Sequence, residues 1–258
     1  MKILFIGDIV GKSGRDIVSS LLFTLKKENN IDLVIANGEN SAHGKGITSK
    51  IYNQLLEIGV DYITMGNHTF SKKELFDHID NMDRLIVPDN HKDKKGKSYR
   101  IIKQNNMNIC ICNVLGDVLI GETISSPYAS MDKILDQTKD RNVDIYFVDY
   151  HGETTAEKRL FAEFYKNKID VLVGTHTHVQ TADERMIGDM AFITDTGMCG
   201  VYDSIIGRDI EESIQAKVLG MSTHFKVATG ESQFNGVIIS INDSVKKVES
   251  IERIQIRP

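Results

Sequence analysis

Five short stretches of the chain share one layout: an apolar run of strand length, a small residue in or after it, then a side chain able to bind a metal ion. They are Lys2–Gly7 before Asp8, Asp32–Gly38 before Glu39-Asn40, Asp61–Gly66 before Asn67-His68, Asp144–Tyr150 before His151, and Asp170–Thr175 before His176. Continuous apolar runs of this length, rich in Val, Ile and aromatic residues, are strands buried on both faces. Between them, Arg15–Asn29, Thr48–Ile58, Lys72–Asp80 and Thr154–Asn167 carry helix-like spacing. Ser71 with Glu74 reads as a capping box for the third helix, and Thr155 as the cap of the fourth, with Lys158 in place of the acidic partner. Alternating strands and helices imply parallel strands joined by right-handed crossovers. Their carboxyl ends then lie along one edge, where ligands bind in open α/β sheets. The five polar stops are therefore expected to converge.

The remainder of the chain has a different texture. Ser98–Gln104 and Met107–Asn113, joined by Asn105-Asn106, read as an antiparallel hairpin, as do Arg185–Ile187 and Met190–Thr194 about Gly188-Asp189. Val114–Ser130, with Gly116, Gly121 and Pro127, lacks periodicity and reads as a lid loop. Arg208–Leu219 is helical, and Phe234–Asn242 with Lys247–Arg257 form a final strand pair. Asn90–Lys97 is a solvated basic loop. With no repeat and no linker, residues 1–258 are expected to form a single domain. A net charge of -5 argues against a protein that coats nucleic acid electrostatically. The three cysteines lack disulfide-framework spacing, which fits a reducing compartment, and Cys110 and Cys112 read as small buried apolar side chains. Lys2–Ile6 is too short for a secretory h-region, and no apolar stretch approaches the ~20 residues of a membrane span. The expected location is cytoplasmic, with no membrane partner.

The chemistry centres on Gly174-Thr175-His176-Thr177-His178. In an extended segment these two histidines would project to one side with Cα atoms about 6.6 Å apart. Two-metal hydrolase sites hold their ions about 3.5–4 Å apart, so each imidazole could serve its own ion. The candidate ligands are Asp8, Glu39, Asn40, Asn67, His151, His176 and His178. Only two of these are anionic, so two divalent ions would leave the site positive and attractive to phosphate. A metal-activated water would also supply a nucleophile that the sequence otherwise lacks. Other features are discounted. Gly7–Ser13 falls one residue short of Walker A spacing, and Lys12, Ser13 and Arg15 instead open a helix near the expected phosphate position. Asn67-His68-Thr69 is a sequon without a secretory signal. His43 reads as a loop histidine close to Glu39, while His78, His91 and His224 take surface or hydrogen-bonded roles. Asp195 and Cys199 are placed at a rim of the site without a role.

Asp8, Gly66-Asn67-His68, a later lone His151 and Gly-x-His-x-His at Gly174–His178 resemble the calcineurin-like metallophosphoesterases. More closely, Gly7-Asp8-Ile9-Val10-Gly11, Asn37-Gly38-Glu39-Asn40 and Gly66-Asn67-His68-Thr69-Phe70 resemble the bacterial YmdB-like phosphodiesterases, across essentially the whole chain. The superfamily's usual Asp-x-His is here Asp8-Ile9-Val10, and its bridging aspartate is Glu39. The resemblance implies an α/β fold, a metallophosphoesterase-type αββα sandwich with central mostly parallel strands and outer helices. It implies two metal ions, iron or alternatively manganese, one held by Asp8, Glu39, Asn40 and His178 and the other by Glu39, Asn67, His151 and His176. It further implies hydrolysis of 2′,3′-cyclic nucleotides by metal-activated hydroxide, with His68 as proton donor. A broader phosphomonoesterase, an RNA-directed phosphodiesterase and a regulatory nucleotide sensor are the alternatives. Expected partners are a small cyclic nucleotide, RNA as an indirect substrate and further copies of the chain in a homo-oligomer.

Overall fold

Two β-sheets face one another, and the chain builds them in three passes. The computed structural model describes residues 1–93 and 95–258; Lys94, within the Asn90–Lys97 loop, lies outside the described residues. The first pass lays down β1 (Lys2–Ile6), β2 (Asp8–Ile9), β3 (Leu33–Asn37), β4 (Tyr62–Thr64) and β5 (Leu85–Ile86). The second forms another sheet from β6 (Tyr99–Gln104), β7 (Met107–Leu115), β8 (Ile145–His151), β9 (Val171–Thr175), β10 (Arg185–Ile187) and β11 (Met190–Ile193). The third returns to the first sheet with β12 (Met198–Val201), β13 (Ser232–Asn242) and β14 (Lys247–Ile256). The orders are β2-β12-β13-β1-β3-β4-β5, with β14 on β13, and β10-β11-β9-β8-β7-β6. β1, β3, β4 and β5 run parallel, as do β7, β8, β9 and β11.

Side-chain alternation divides the core into three layers. Ile3, Phe5, Leu33 and Ile35 of one sheet meet Ile109, Ile111, Phe147 and Val173 of the other between the sheets. Leu4, Ile6 and Val34 point outward beneath α1 (Gly11–Asn29) and α2 (Ser49–Glu57). Cys110, Cys112 and Val148 point outward beneath α4 (Pro127–Thr138) and α5 (Thr155–Tyr165). α3 (Leu75–His78) and α6 (Ile210–Lys217) are short and lie outside this frame. The architecture is the αββα sandwich of the metallophosphoesterases. Strands buried on both faces account for the unbroken apolar runs. The expectation of a single shared sheet edge fails in one respect: Asp8, Glu39 and Asn67 follow strands of the first sheet, whereas His151 ends and His176 follows a strand of the second. The polar stops meet because the two sheets present their carboxyl ends to the same side.

Several local expectations need correction. Lys72–Asp80 is not one helix but α3 flanked by 3-10 turns at Thr69–Ser71 and Ile79–Asn81. Glu74, not Ser71, stands at the N-cap position of α3, and its carboxylate accepts the Ser49 N–H at 3.0 Å rather than capping the helix. The cap of α5 is Thr154, with Glu157 completing a capping box, so the register is one residue earlier than Thr155 implied. That shift turns Lys158 inward to a buried position. Inside the stretch read as a lid, Ser126 caps α4 and Pro127 opens it, leaving 116–126 as the loop.

Candidate metal centre

The loops after β1, β3, β4, β8 and β9 bring all seven predicted ligand side chains and His68 to one place. Asp8, Glu39, Asn40 and His151 are buried, and His176 and His178 are partly exposed along a cavity of about 390 Å³. Close approach of β4 to this cluster demands Gly66, because a Cβ there would collide with Glu39 Oε2 and His151 Nε2.

Three potential ligand atoms crowd around His151. Its Nε2 lies 3.0 Å from His176 Nδ1, 3.1 Å from Asn67 Oδ1 and 3.1 Å from Glu39 Oε1. Ligand atoms of Glu39, His151 and His176 all lie within 4.8 Å of one another. A second group adjoins the first: His178 Nε2 lies 3.2 Å from Asn40 Oδ1 and 3.8 Å from Asp8 Oδ1. Asp8 Oδ1 is buried and has no hydrogen-bond partner among the described residues, although Asp8 Oδ2 accepts the His176 N–H at 3.2 Å. Asn40 spends its amide on the Gly44 carbonyl, which leaves its oxygen facing His178.

Each imidazole is anchored from outside through one nitrogen, which leaves the other directed inward. His151 Nδ1 meets the Thr175 hydroxyl at 2.8 Å, His176 Nε2 meets Glu153 at 2.9 Å, and His178 Nδ1 meets the Ile206 carbonyl at 2.8 Å. This arrangement fixes tautomer and ring orientation in metal-binding histidines. The extended-segment argument for His176 and His178 does not hold, since β9 stops at Thr175 and both residues have positive φ, 100° and 66°. A buried ion pair supports that turn. Lys158 Nζ reaches the Thr175 carbonyl and Asp195 Oδ2, each at 2.8 Å, and Asp195 Oδ2 also accepts the Thr177 N–H.

Without a cation, the cluster distributes its charge unevenly. Burial disfavours the His151 imidazolium, yet Glu39, Asp8 and Asp149 together outweigh it and raise the pKa to about 9. Burial likewise opposes ionised Glu39, but His151 and its neighbouring imidazoles bring the carboxyl down to about 2. Burial lifts Asp8 to about 7, against the pull of His178 and His151. Burial, then the charge on His151, lowers His176 to about 3. A proton on His151 thus faces three acceptors and cannot satisfy them all, and Asp8 Oδ1 has no partner. Oxygen and imidazole donors in this density fit a divalent cation.

His68 lines the same cavity, with its backbone N–H donating to Glu39 Oε2 at 3.1 Å. Burial pushes its imidazole below the ordinary value, and Glu39 opposes that shift. His91 takes the hydrogen-bonded of its two expected roles, buried with its Nε2 3.3 Å from the Asn67 carbonyl. One residue of the surroundings escaped the sequence reading. Asp149 is buried two residues before His151 on β8, and a charge inside an apolar run was the available signal. Lys12, expected near phosphate, is exposed and pairs with Asp16.

With facing sheets and a histidine–carboxylate cluster where their carboxyl ends meet, the chain is a hydrolase of the metallophosphoesterase class, whose fold implies divalent metal ions. It belongs to the YmdB-like protein family, whose defining pattern matches residues 4–254. The chain is 42% identical over 258 residues to a Bacillus subtilis 2′,3′-cyclic-nucleotide 2′-phosphodiesterase, spanning 99% of this chain and 97% of that one. A crystal structure of a Mycoplasma pneumoniae protein described as a novel phosphatase superposes with a TM-score of 0.92 at 38% identity, covering 100% and 93% of the two chains. A hypothetical protein from Thermus thermophilus gives the same TM-score at 29% identity, covering 100% and 99%. Among the described residues, no helix is long and apolar enough to cross a membrane.

Proposed function

We propose that this chain is a single-domain, cytoplasmic phosphodiesterase that hydrolyses nucleoside 2′,3′-cyclic phosphates at a dinuclear centre. Asp8, Glu39, Asn40 and His178 would hold one ion and Glu39, Asn67, His151 and His176 the other, with iron the expected metal and manganese a substitute. The observation that carries this reading is the set of three imidazoles, each tied outward through one nitrogen and directed inward with the other. Two divalent ions, when bound, lower the pKa of a water and neutralise charge on phosphoryl oxygens.

The chain's own side chains do the rest. Glu39 holds the backbone of the 67–69 turn through the His68 N–H, which keeps the His68 imidazole on the cavity wall. As water adds to phosphorus and the bond from phosphorus to the 2′ oxygen breaks, the departing alkoxide needs a proton. His68 delivers it as general acid. The product is a nucleoside 3′-monophosphate. The name of the Bacillus subtilis relative favours a cyclic nucleotide over a phosphomonoester or RNA. Elemental analysis of anaerobically purified protein, with product identification from 2′,3′-cyclic AMP, tests the proposal. Iron or manganese near two ions per chain and 3′-AMP as product are expected. No transition metal, and no turnover after either metal is added, would overturn it.

A further inference from the structure

The cavity extends well past the metal cluster. Beyond His68 and His178 it runs to Lys45, Arg208 and Phe225, on loops that are tied back to the centre. Ile206, two residues before Arg208, accepts the His178 Nδ1 proton. Arg208 and Val227 form a β-bridge, which holds the Phe225 segment beside the Arg208 loop.

Phe225 is unusual for a ring in this position. It is 45% exposed although it lines a cavity. One edge of the ring rests on Gly44, where a Cβ would come within 2.7 Å of Phe225 Cε1 and 2.9 Å of Cζ. Gly44 follows closely on the metal-site loop and itself accepts the Asn40 amide, so the aromatic wall and the phosphate end share one support. Two cations attend the ring. The Arg208 guanidinium carbon lies 5.2 Å from its centroid, and the Lys45 ammonium lies 5.6 Å away. They differ in freedom. Arg208 is clamped by both Glu212 carboxylate oxygens, at 2.5 and 2.6 Å, and Glu212 also receives the Thr223 hydroxyl, two residues before the ring. Lys45 has an exposed side chain held near the ring by charge–quadrupole attraction, which is weak at exposed sites.

A metal–carboxylate site binds phosphate and is indifferent to the rest of the ligand. An exposed ring with a fixed guanidinium beside it, in a cavity of a size that takes small ligands, serves a planar group. We propose that Phe225, held by the Arg208–Glu212 clamp, is the platform on which the substrate's nucleobase stacks, while Lys45 swings from the ring to the phosphate. Recognition by stacking reads the π-face, which every base has, so the site accepts purines and pyrimidines and favours the larger purines. This inference rests on the phosphodiesterase reading above and adds what that reading leaves open, the part of the cavity that holds the base.

The experiment compares 2′,3′-cyclic AMP, 2′,3′-cyclic CMP and the base-free glycerol 1,2-cyclic phosphate on manganese-loaded wild type, Phe225→Ala, Phe225→Leu and Phe225→Tyr. Phe225→Ala and Phe225→Leu should lower the preference for 2′,3′-cyclic AMP over the base-free substrate about tenfold to a hundredfold, mainly through KM, and Phe225→Tyr should retain it. A preference that survives Phe225→Ala, or that Phe225→Leu retains in full, would overturn the platform. Binding of 3′-AMP against inorganic phosphate, measured by calorimetry on the same proteins, reads the platform without turnover. If none of the cyclic substrates is hydrolysed, the phosphodiesterase reading fails. Loss of 3′-AMP affinity in Phe225→Ala beyond any loss for phosphate would then still support the platform, and equal losses would overturn it.

Discussion

The Thr175 hydroxyl donates to Asp149 Oδ1 at 2.7 Å and stands 2.8 Å from His151 Nδ1. With its proton committed to Asp149, the Thr175 oxygen can only accept from His151. Nδ1 therefore carries the proton of the neutral imidazole, and Nε2 is left for the metal cluster. Asp149 does a second job: its Oδ2 accepts from Thr64 on β4 and Asn37 on β3. One carboxylate on the second sheet thus ties the first sheet to it directly beneath the site. Burial raises its pKa, and these three donors favour its charged form.

Asp149→Asn should reverse that chain. An amide directed at Thr175 can donate, which frees the hydroxyl to donate to His151 Nδ1 and forces the imidazole proton onto Nε2. Metal affinity is expected to fall about tenfold to a hundredfold, the range seen when an outer partner of a metal-binding histidine is removed. Thr175→Val, which deletes the relay, should give a loss of similar size. Manganese titration of the metal-stripped proteins measures both, and wild-type affinity in Asp149→Asn would refute the role.

Asp149 also marks where the sequence was and was not legible. The strand ends carrying Asp8, Glu39, Asn67, His151 and His176 could be read because buried strands leave an unbroken apolar trace and a polar residue interrupts it visibly. The residues behind them act through contacts between sheets that no local pattern records. Asn37, Thr64 and Asp149 meet across the two sheets from positions 112 and 85 residues apart in the chain. Short-range patterns misled where one residue of register mattered. Placing the α5 cap at Thr155 rather than Thr154 put Lys158 in the acidic partner's position, whereas the structure gives that position to Glu157 and buries Lys158. β2 and β12 pair over only two residues, Asp8 with Met198 and Ile9 with Cys199, too few for any periodicity to register.

Lys158→Met should be among the more damaging single changes in the molecule. Lys158 and Asp195 are each 1% exposed, and loss of the ammonium strands a buried carboxylate. Breaking one partner of a buried pair costs about 3–5 kcal/mol, which urea denaturation would register as a lower midpoint. The same change releases the Thr175 carbonyl, adjacent to His176, so metal affinity should fall as well. A midpoint within error of wild type would show that water replaces the ammonium.

Metal removal should destabilise the chain, because the cluster then keeps an ion pair in place of a cation and leaves Asp8 Oδ1 without a partner. Manganese at about a hundredfold over its Kd adds about 2.7 kcal/mol to a protein that binds it only when folded. For a domain of this size that corresponds to about 5–10 °C in Tm. Differential scanning calorimetry with manganese and with chelator checks the difference. Asp8→Asn, which retains shape but removes a charge, should abolish most of the shift, and an undiminished shift would exclude Asp8 from the ligand set.

His68 can be tested through the leaving group. A sugar alkoxide is a poor leaving group and needs a proton as the bond to phosphorus breaks, so His68→Ala should lower kcat on 2′,3′-cyclic AMP about a hundredfold to ten-thousandfold. Nitrophenolate leaves readily without one. Hydrolysis of bis(p-nitrophenyl) phosphate by the same variant should therefore fall far less. The contrast matters because the His68 backbone N–H, not its ring, holds Glu39, and that bond survives the substitution. Equal losses on both substrates would instead mean that the imidazole supports the metal cluster or binds the phosphate, and the general-acid assignment would have to be abandoned.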